Sequence, residues 1–520
     1  MGNKSLSLKR WAVESPLPIA TVVDAPASAA PSTGVTLTVT PEMTVYSNST
    51  CEATLGVNLK ACPAPSDFDR APVDCVVVTD VSGSMAGEKL ALVQQTIKLL
   101  LDEFGSKDRV GIVTFDTKVQ ERMKLSAMDS KTNLLAASEV DSFRAGSSTN
   151  LSGGLFAGLQ QLIDARKADQ RKSKGAKEGI KTVLLMTDGQ ANHGLKTAEE
   201  IVPVLTSMLS GTGISLHTFG YGSGHDSTLL RSLASTGHGS YYFVENADDI
   251  RSAFGDCLGG LLSVVAQNLV LEVELLHSKA LIKKVHHKSA TPSPEPGTYR
   301  VPFADLYGDE SRDVLVSLIL PEEALGGIQD NNVEASPVVM PVLRATLKYI
   351  DVLGSSAATA CVDGAISRAA PQSAAFAAAV VDPKVEQQRL RLLVVNTLDE
   401  ARATASKGNL AAARSAIAQS RIAVAETLAR RVECGKAPGE NETLLSYLED
   451  LDECVLGLKD TVTFCSTSHK MAMLSEGHLQ QRCMDSRIET KNICGEISMR
   501  SNVYRTASKC KKTTTFARLF

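Results

Sequence analysis

The chain has 520 residues, 43% hydrophobic and 22% charged, a globular balance too long for a single core, so about two to four domains are expected. A formal charge of -4 and an aromatic content of 4% exclude both the basic footprint and the stacking platform of a nucleic-acid binder. The longest apolar stretch, residues 254–276, carries Asp256, Glu272 and Glu274, which excludes a transmembrane helix.

The N-terminus, MGNKSLSLKR, lacks the apolar centre of a secretion signal, so the expected location is cytoplasmic or nuclear. It misses the N-myristoylation pattern M-G-x-x-x-[ST], because Leu6 stands where a hydroxyl is required. Residues 1–33 are rich in Ala, Pro and Ser and read as a flexible arm. In residues 34–65 the apolar positions alternate: Val35, Leu37 and Val39, then Ala53, Leu55, Val57 and Leu59. Period-2 alternation predicts half-buried antiparallel strands.

From Val73 to about Gly260 the pattern changes. Short, nearly continuous apolar runs at 75–79, 110–115, 182–187, 214–219 and 240–244 alternate with helical stretches, the first over 87–104. Strands buried on both faces and separated by helices predict a doubly wound α/β domain. Alternation then returns in 265–352, at Leu269, Leu271, Val273 and Leu275, at Val314, Val316 and Leu318, and at Leu343, Ala345, Leu347 and Tyr349. Neither β segment alone readily covers its apolar face, so the two are expected to share one β-sandwich with the α/β domain inserted between them. Residues 372–500 read as helical: a hairpin of 386–406 and 409–431 around Gly408, and a third helix from about Thr443 towards His469. A basic tail, 501–520, closes the chain. The fold class is therefore multidomain: α/β, all-β and α.

Of eleven cysteines, Cys434, Cys454, Cys465, Cys483, Cys494 and Cys510 fall in the helical region and tail, and no C-x-x-C pair occurs. Free thiols buried on helices are expected; Cys465 with His469 is the nearest approach to a ligand pair.

The chemistry concentrates at the carboxyl ends of the predicted parallel strands, where open α/β sheets bind ligands. CVVVTDVSGSMAGEKL sets Asp80, Ser82 and Ser84 at alternate positions after the first strand. GSSTN presents Thr149, and LLMTDGQ presents Asp188. Three hydroxyls and two carboxylates form an oxygen-only set suited to a hard divalent ion, Mg²⁺ first, with Mn²⁺ or Ca²⁺ as alternatives. Hydroxyl ligands leave the ion much of its charge, so it retains affinity for an Asp or Glu of a protein partner. His193, His225 and Asp226 are candidates for the rim of this socket, and Asp226 also for a helix cap. Alanine at Asp80 is expected to abolish metal-dependent binding and to spare the fold, as at a surface loop. No G-x-S-x-G elbow and no phosphate loop occurs, so the chain reads as non-enzymatic.

D-x-S-x-S at Asp80–Ser84, Thr149 and the T-D-G at Asp188 resemble the metal-ion-dependent adhesion site of the von Willebrand factor type A domain. The stretches RAPVDCVVVTDVSGSMAGEKLALV and FADLYGDESRDVLVSLILP, with the helical hairpin, are similar to the wavy-growth family of plant RING-type ubiquitin ligases. In that family a type A domain precedes strands and a helical Vwaint region. A RING lies ahead of it, where this sequence holds only Cys51 and Cys62, so ligase chemistry is not carried over. The expectation is a metal-dependent protein-interaction module. The alternative is a RING-less, substrate-recruiting component of a ubiquitin-ligase system. A third reading, an extracellular protein laid out like inter-alpha-trypsin inhibitor heavy chains, is disfavoured by the N-terminus.

Overall fold

The computed structural model describes residues 34–481, except 64–69, 173–178, 324–336, 435–440 and positions 223, 304, 353 and 355, together with 490–491 and 497–498. The arm and the tail lie outside the described residues, as do Cys483, Cys494 and Cys510.

The first strands are β1 (Val35–Pro41), β2 (Tyr46–Ser47) and β3 (Cys51–Ala61). The α/β unit follows: β4 (Val73–Asp80), α1 (Glu88–Glu103), β5 (Arg109–Phe115), β6 (Val119–Ala127), α2 (Ser130–Asp141), α3 (Leu151–Lys172), β7 (Ile180–Thr187), α4 (Ala198–Leu209), β8 (Ile214–Tyr221), α5 (Ser227–Thr236), β9 (His238–Val244) and α6 (Ala247–Leu261). Its sheet has the order β6-β5-β4-β7-β8-β9. Every residue of β4, β7 and β8 is buried, as the continuous apolar runs require of strands covered on both faces. One strand of this sheet escaped the sequence reading. Strand β6 pairs antiparallel with β5, and its Glu121, Arg122 and Lys124 break the apolar signal; charges on an edge strand also deter further pairing.

The chain continues through β10 (Val264–Leu275), β11 (Leu281–His286), β12 (Thr291–Pro292), β13 (Thr298–Phe303), β14 (Leu306–Tyr307), β15 (Ser311–Leu320), β16 (Val338–Asp351) and β17 (Ser356–Ala369). Two sheets result, β1-β3-β15-β11 and β12-β13-β10-β16-β17-β2, with β14 attached to β10. Strand β3 pairs with β15 over ten residue pairs, so the N-terminal strands and the later ones share one core. The α/β unit is an insertion in this sandwich. Its two flanks meet at one turn: Gly308 N–H donates to Ser263 O at 2.7 Å and Asp309 N–H to Cys62 O at 3.1 Å. The sandwich runs on to Ala369 rather than ending near 352. SAATACVDGAISRA is rich in alanine, and its long hairpin with β16 overrides that local preference for helix.

The helical region contains α7 (Ala374–Ala377), α8 (Pro383–Ser406), α9 (Leu410–Glu433), α10 (Glu442–Gly457) and α11 (Thr461–Gln480). The single helix expected from about Thr443 is two helices. Asp460 caps the second by accepting from Thr463 N–H at 2.8 Å, a break that the run Gly457-Leu-Lys-Asp460 encodes. Helix ends at Gln480, not near 500; residues 490–491 and 497–498 pair as two short strands. Of the three described cysteines in this region, Cys454 is buried, but Cys434 and Cys465 are exposed. Among the described residues no helix is long and apolar enough to cross a membrane.

Candidate functional site

Strands β4 and β7 lie side by side in parallel, Thr79 opposite Met186, so Asp80 and Asp188 emerge at the same edge of the sheet. Three loops are stitched together there by backbone bonds. Gly83 N–H donates to Ser147 O at 2.9 Å, and Gly146 N–H to Val81 O at 2.6 Å. Asn192 and His193 N–H both donate to Thr149 O at 3.1 Å. Gly189, with φ of +72°, turns the third loop back; a side chain there would be strained and would press within 3.0 Å of Asp226 N. Asp80, Ser82, Thr149 and Asp188 are buried, and Ser84 is exposed at the mouth.

The side chains are held by hydrogen bonds that leave one carboxylate oxygen over. Asp80 Oδ1 accepts from Ser82 N–H at 2.8 Å, and Oδ2 from the Thr187 hydroxyl at 2.5 Å. Burial, reinforced by the Asp188 charge, outweighs these bonds and pushes the Asp80 carboxyl up to about 6. Asp188 Oδ1 is buried and has no hydrogen-bond partner among the described residues. A fully desolvated carboxylate oxygen without a partner is costly unless a cation meets it. The Ser82 and Ser84 hydroxyl oxygens are 3.1 Å apart. Adjacent ligands of an octahedral Mg²⁺, each at about 2.1 Å, are separated by about 3.0 Å, so this pair fits two neighbouring positions. Among the described residues no cluster of three or more His, Cys, Asp and Glu is placed for a metal.

The surface-loop expectation for Asp80 is corrected. It is fully buried at the end of β4, and alanine would strand both the Thr187 hydroxyl and the Ser82 N–H.

The three rim candidates separate. His193 is exposed beside Thr149. Asp226 caps α5, accepting from Thr228 and Leu229 N–H at 3.1 and 2.9 Å, while its own N–H donates to Asp188 O at 3.3 Å. His225 is not on the rim. Its ring is buried, with Nδ1 2.6 Å from Gly222 O and Nε2 2.5 Å from the Tyr241 hydroxyl, and burial lowers its basicity.

Residues 74–256 match the sequence profile of the von Willebrand factor type A domain. This segment is a type A domain. The curated relatives include E3 ubiquitin-protein ligase WAV3 of Arabidopsis thaliana, 29% identical over 265 residues, which are 50% of this chain and 32% of that protein. Inter-alpha-trypsin inhibitor heavy chain H1 of Homo sapiens is 26% identical over 229 residues, 43% of this chain and 24% of that protein. The chain thus spans a third or less of either relative's length. Among solved structures, a von Willebrand factor type A protein from Catenulispora acidiphila aligns with a TM-score of 0.58 at 16% identity, covering 80% of this chain and 89% of that one. The ArnB paralog VWA2 from Sulfolobus acidocaldarius aligns at 0.53 and 17%, covering 84% and 98%. At these identities the two structures speak for the fold alone.

Three residues beside the type A site had not been singled out. Thr187 precedes Asp188 and supports Asp80, accepting in turn from Gly189 N–H at 2.9 Å. Asn192 Oδ1 accepts from Thr149 N–H at 2.7 Å and holds that loop. Lys89, on the first turn of α1, reaches the second oxygen of Asp188 at 3.1 Å. Gly222 makes room for it: a Cβ there would lie 2.9 Å from Lys89 Cε. Thr187 stands within LLMTDGQ and Lys89 within CVVVTDVSGSMAGEKL, but the pairing of Lys89 with Asp188 arises only through the fold.

Proposed function

We propose that this protein recognises a partner through one divalent cation held by Asp80, Ser82, Ser84, Thr149 and Asp188, with a coordination position left for an Asp or Glu of that partner. Type A domains are generally protein-interaction modules, and the reading rests on the desolvated, partnerless Asp188 Oδ1. Mg²⁺ suits the oxygen-only set, with Mn²⁺ and Ca²⁺ as substitutes. The bound ion would supply concentrated positive charge for the incoming carboxylate. The chain's own residues orient it: Thr187 and Ser82 N–H fix the Asp80 carboxylate, and Asn192 fixes the Thr149 loop. The role proposed is binding rather than catalysis, and the setting proposed is cytoplasmic or nuclear. The test is capture of partners by the full chain in Mg²⁺ and in chelator, with Asp80→Asn as the control. Binding that persists in chelator, or in the variant, rules the socket out for that partner.

A second reading rests on the likeness to the plant ligase over half of this chain. The same socket would then recruit substrates to a ubiquitin-ligase system whose RING lies on another protein. Ubiquitin-pathway proteins among the Mg²⁺-dependent captures would favour it.

Lys89 tunes the socket. Its ammonium neutralises part of the Asp188 charge and repels an arriving cation. Lys89→Met is expected to tighten Mn²⁺ binding about tenfold, equivalent to ~1.4 kcal/mol. Calorimetric titration of Mn²⁺ checks this; weaker binding in the variant would instead make Lys89 a support of the site.

A further inference from the structure

The type A domain, the sandwich and the helical region meet around Arg231 of α5. Its guanidinium donates to Asp399 Oδ1 and Oδ2 at 2.8 and 3.3 Å, to Glu476 Oε2 at 2.6 Å and to Ser475 Oγ at 3.1 Å. Asp399 Oδ1 also accepts from Ser475 at 2.8 Å, and Glu476 Oε1 from Gln480 at 2.8 Å. All four carboxylate oxygens are thereby engaged.

Two further cations face the same cleft. Lys288, on the sandwich, lies 3.9 Å from the already engaged Glu476 Oε2. Arg402, half-buried on α8, donates to the neutral Thr228 hydroxyl at 3.3 Å and has no carboxylate at ion-pair distance among the described residues. Three cationic and two anionic side chains thus line the cleft, and the Asp226 carboxylate acts on Arg402 from beside it. The cleft measures about 430 Å³, and Ser232, Ser235 and Thr236 add hydroxyls to its wall. That volume falls within the roughly 300–1,000 Å³ of small-ligand sites. Among the described residues the Arg402 guanidinium is hydrogen-bonded only to a neutral hydroxyl, and an oxyanion that accepts from it and from nearby hydroxyls would gain charge-assisted bonds. Desolvation, with repulsion from Arg231, outweighs the attraction of Asp399 and Asp226 and lowers the basicity of Arg402.

We infer that this cleft binds a compact phosphate-class oxyanion, held by Arg402 and Lys288 and by the hydroxyls of α5. The ligand would bridge the three units at their junction, independently of the metal socket. Free phosphate and a phosphorylated side chain offer the same chemistry.

The test is calorimetric titration of the full chain with inorganic phosphate and with O-phosphoserine, in chelator and at ionic strength matched with chloride. Chelator removes any contribution from metal at Asp80. Wild type is expected to bind both probes. Arg402→Gln should weaken binding roughly tenfold or more, the loss of one charge-assisted contact, and Lys288→Gln by less. Circular dichroism checks that both variants fold. Tighter binding of O-phosphoserine assigns the site to a phosphorylated side chain, and tighter binding of inorganic phosphate to the free ion. No phosphate binding beyond chloride in wild type, or equal binding in folded Arg402→Gln, overturns the inference.

Discussion

Asp80→Asn is expected to stabilise the protein in chelator while abolishing its response to Mg²⁺. Burial raises the Asp80 carboxyl from its usual 3.8 to about 6, so the fold favours the protonated form. The stability gained from that preference is complete below the unfolded value of 3.8 and is lost as pH rises through about 6. Above pH 7 the chelated wild type carries an ionised, desolvated carboxylate, at a cost on the order of 3 kcal/mol for about two pKa units. Asparagine removes the charge and keeps the shape. Its oxygen can accept from Ser82 N–H, and its amide can donate to the Thr187 hydroxyl. The variant's advantage in urea melts should grow between pH 4 and 6 and level off above. Wild type should regain stability with Mg²⁺, and its metal affinity should fall as pH drops through 6, where protons compete for Asp80. A variant no more stable than wild type at pH 7.5 in chelator would show that Asp80 is not under this strain.

Arg231→Met should have the larger effect on assembly of the three units. Glu476 is only 1% exposed, and without Arg231 its nearest cation is Lys288 at 3.9 Å. Breaking a buried pair by removing one partner costs about 3–5 kcal/mol, because the remaining charge stays desolvated. The loss should fall on the docking of the helical region. Limited proteolysis should cut α8 to α11 sooner, while β4 to β9 retain their protection from hydrogen exchange. Arg231→Lys should recover part of the loss, since one ammonium cannot reproduce the fork spanning Asp399 and Glu476. Unchanged proteolysis in Arg231→Met would show that α5 does not anchor the helices.

Much of the fold is legible in the sequence because it is written in periodicity. Runs such as Cys75–Thr79 and Thr182–Thr187 have no polar interruption, and strands buried on both faces require none. Alternation at Val35, Leu37 and Val39 likewise marks one buried face. The elements missed are those where local preference and tertiary context disagree. Strand β6 is charged because it is an edge, and β17 is alanine-rich yet held by its hairpin. At the site, Asp80, Ser82, Ser84, Thr149 and Asp188 announce themselves because three separate loops each carry side-chain oxygens. Lys89 and Arg231 do not, since one lies on an ordinary helical turn and the other finds its carboxylates more than 150 residues away. His225 misled because a loop histidine beside an aspartate says nothing of the Tyr241 hydroxyl that draws its ring inward.

The single turn at Gly308–Asp309, which holds both Cys62 and Ser263, has a mechanical consequence. The proposed socket sits at the carboxyl ends of the parallel strands, whereas the chain enters at the opposite end of β4, and α6 brings it back. A partner pulling on the metal would load the type A domain along its strands. The tension would leave through two tethers at once, one to β3 in the first sheet and one to β10 in the second. Each tether would carry part of the force, and neither sheet could be peeled without straining the other across their shared core.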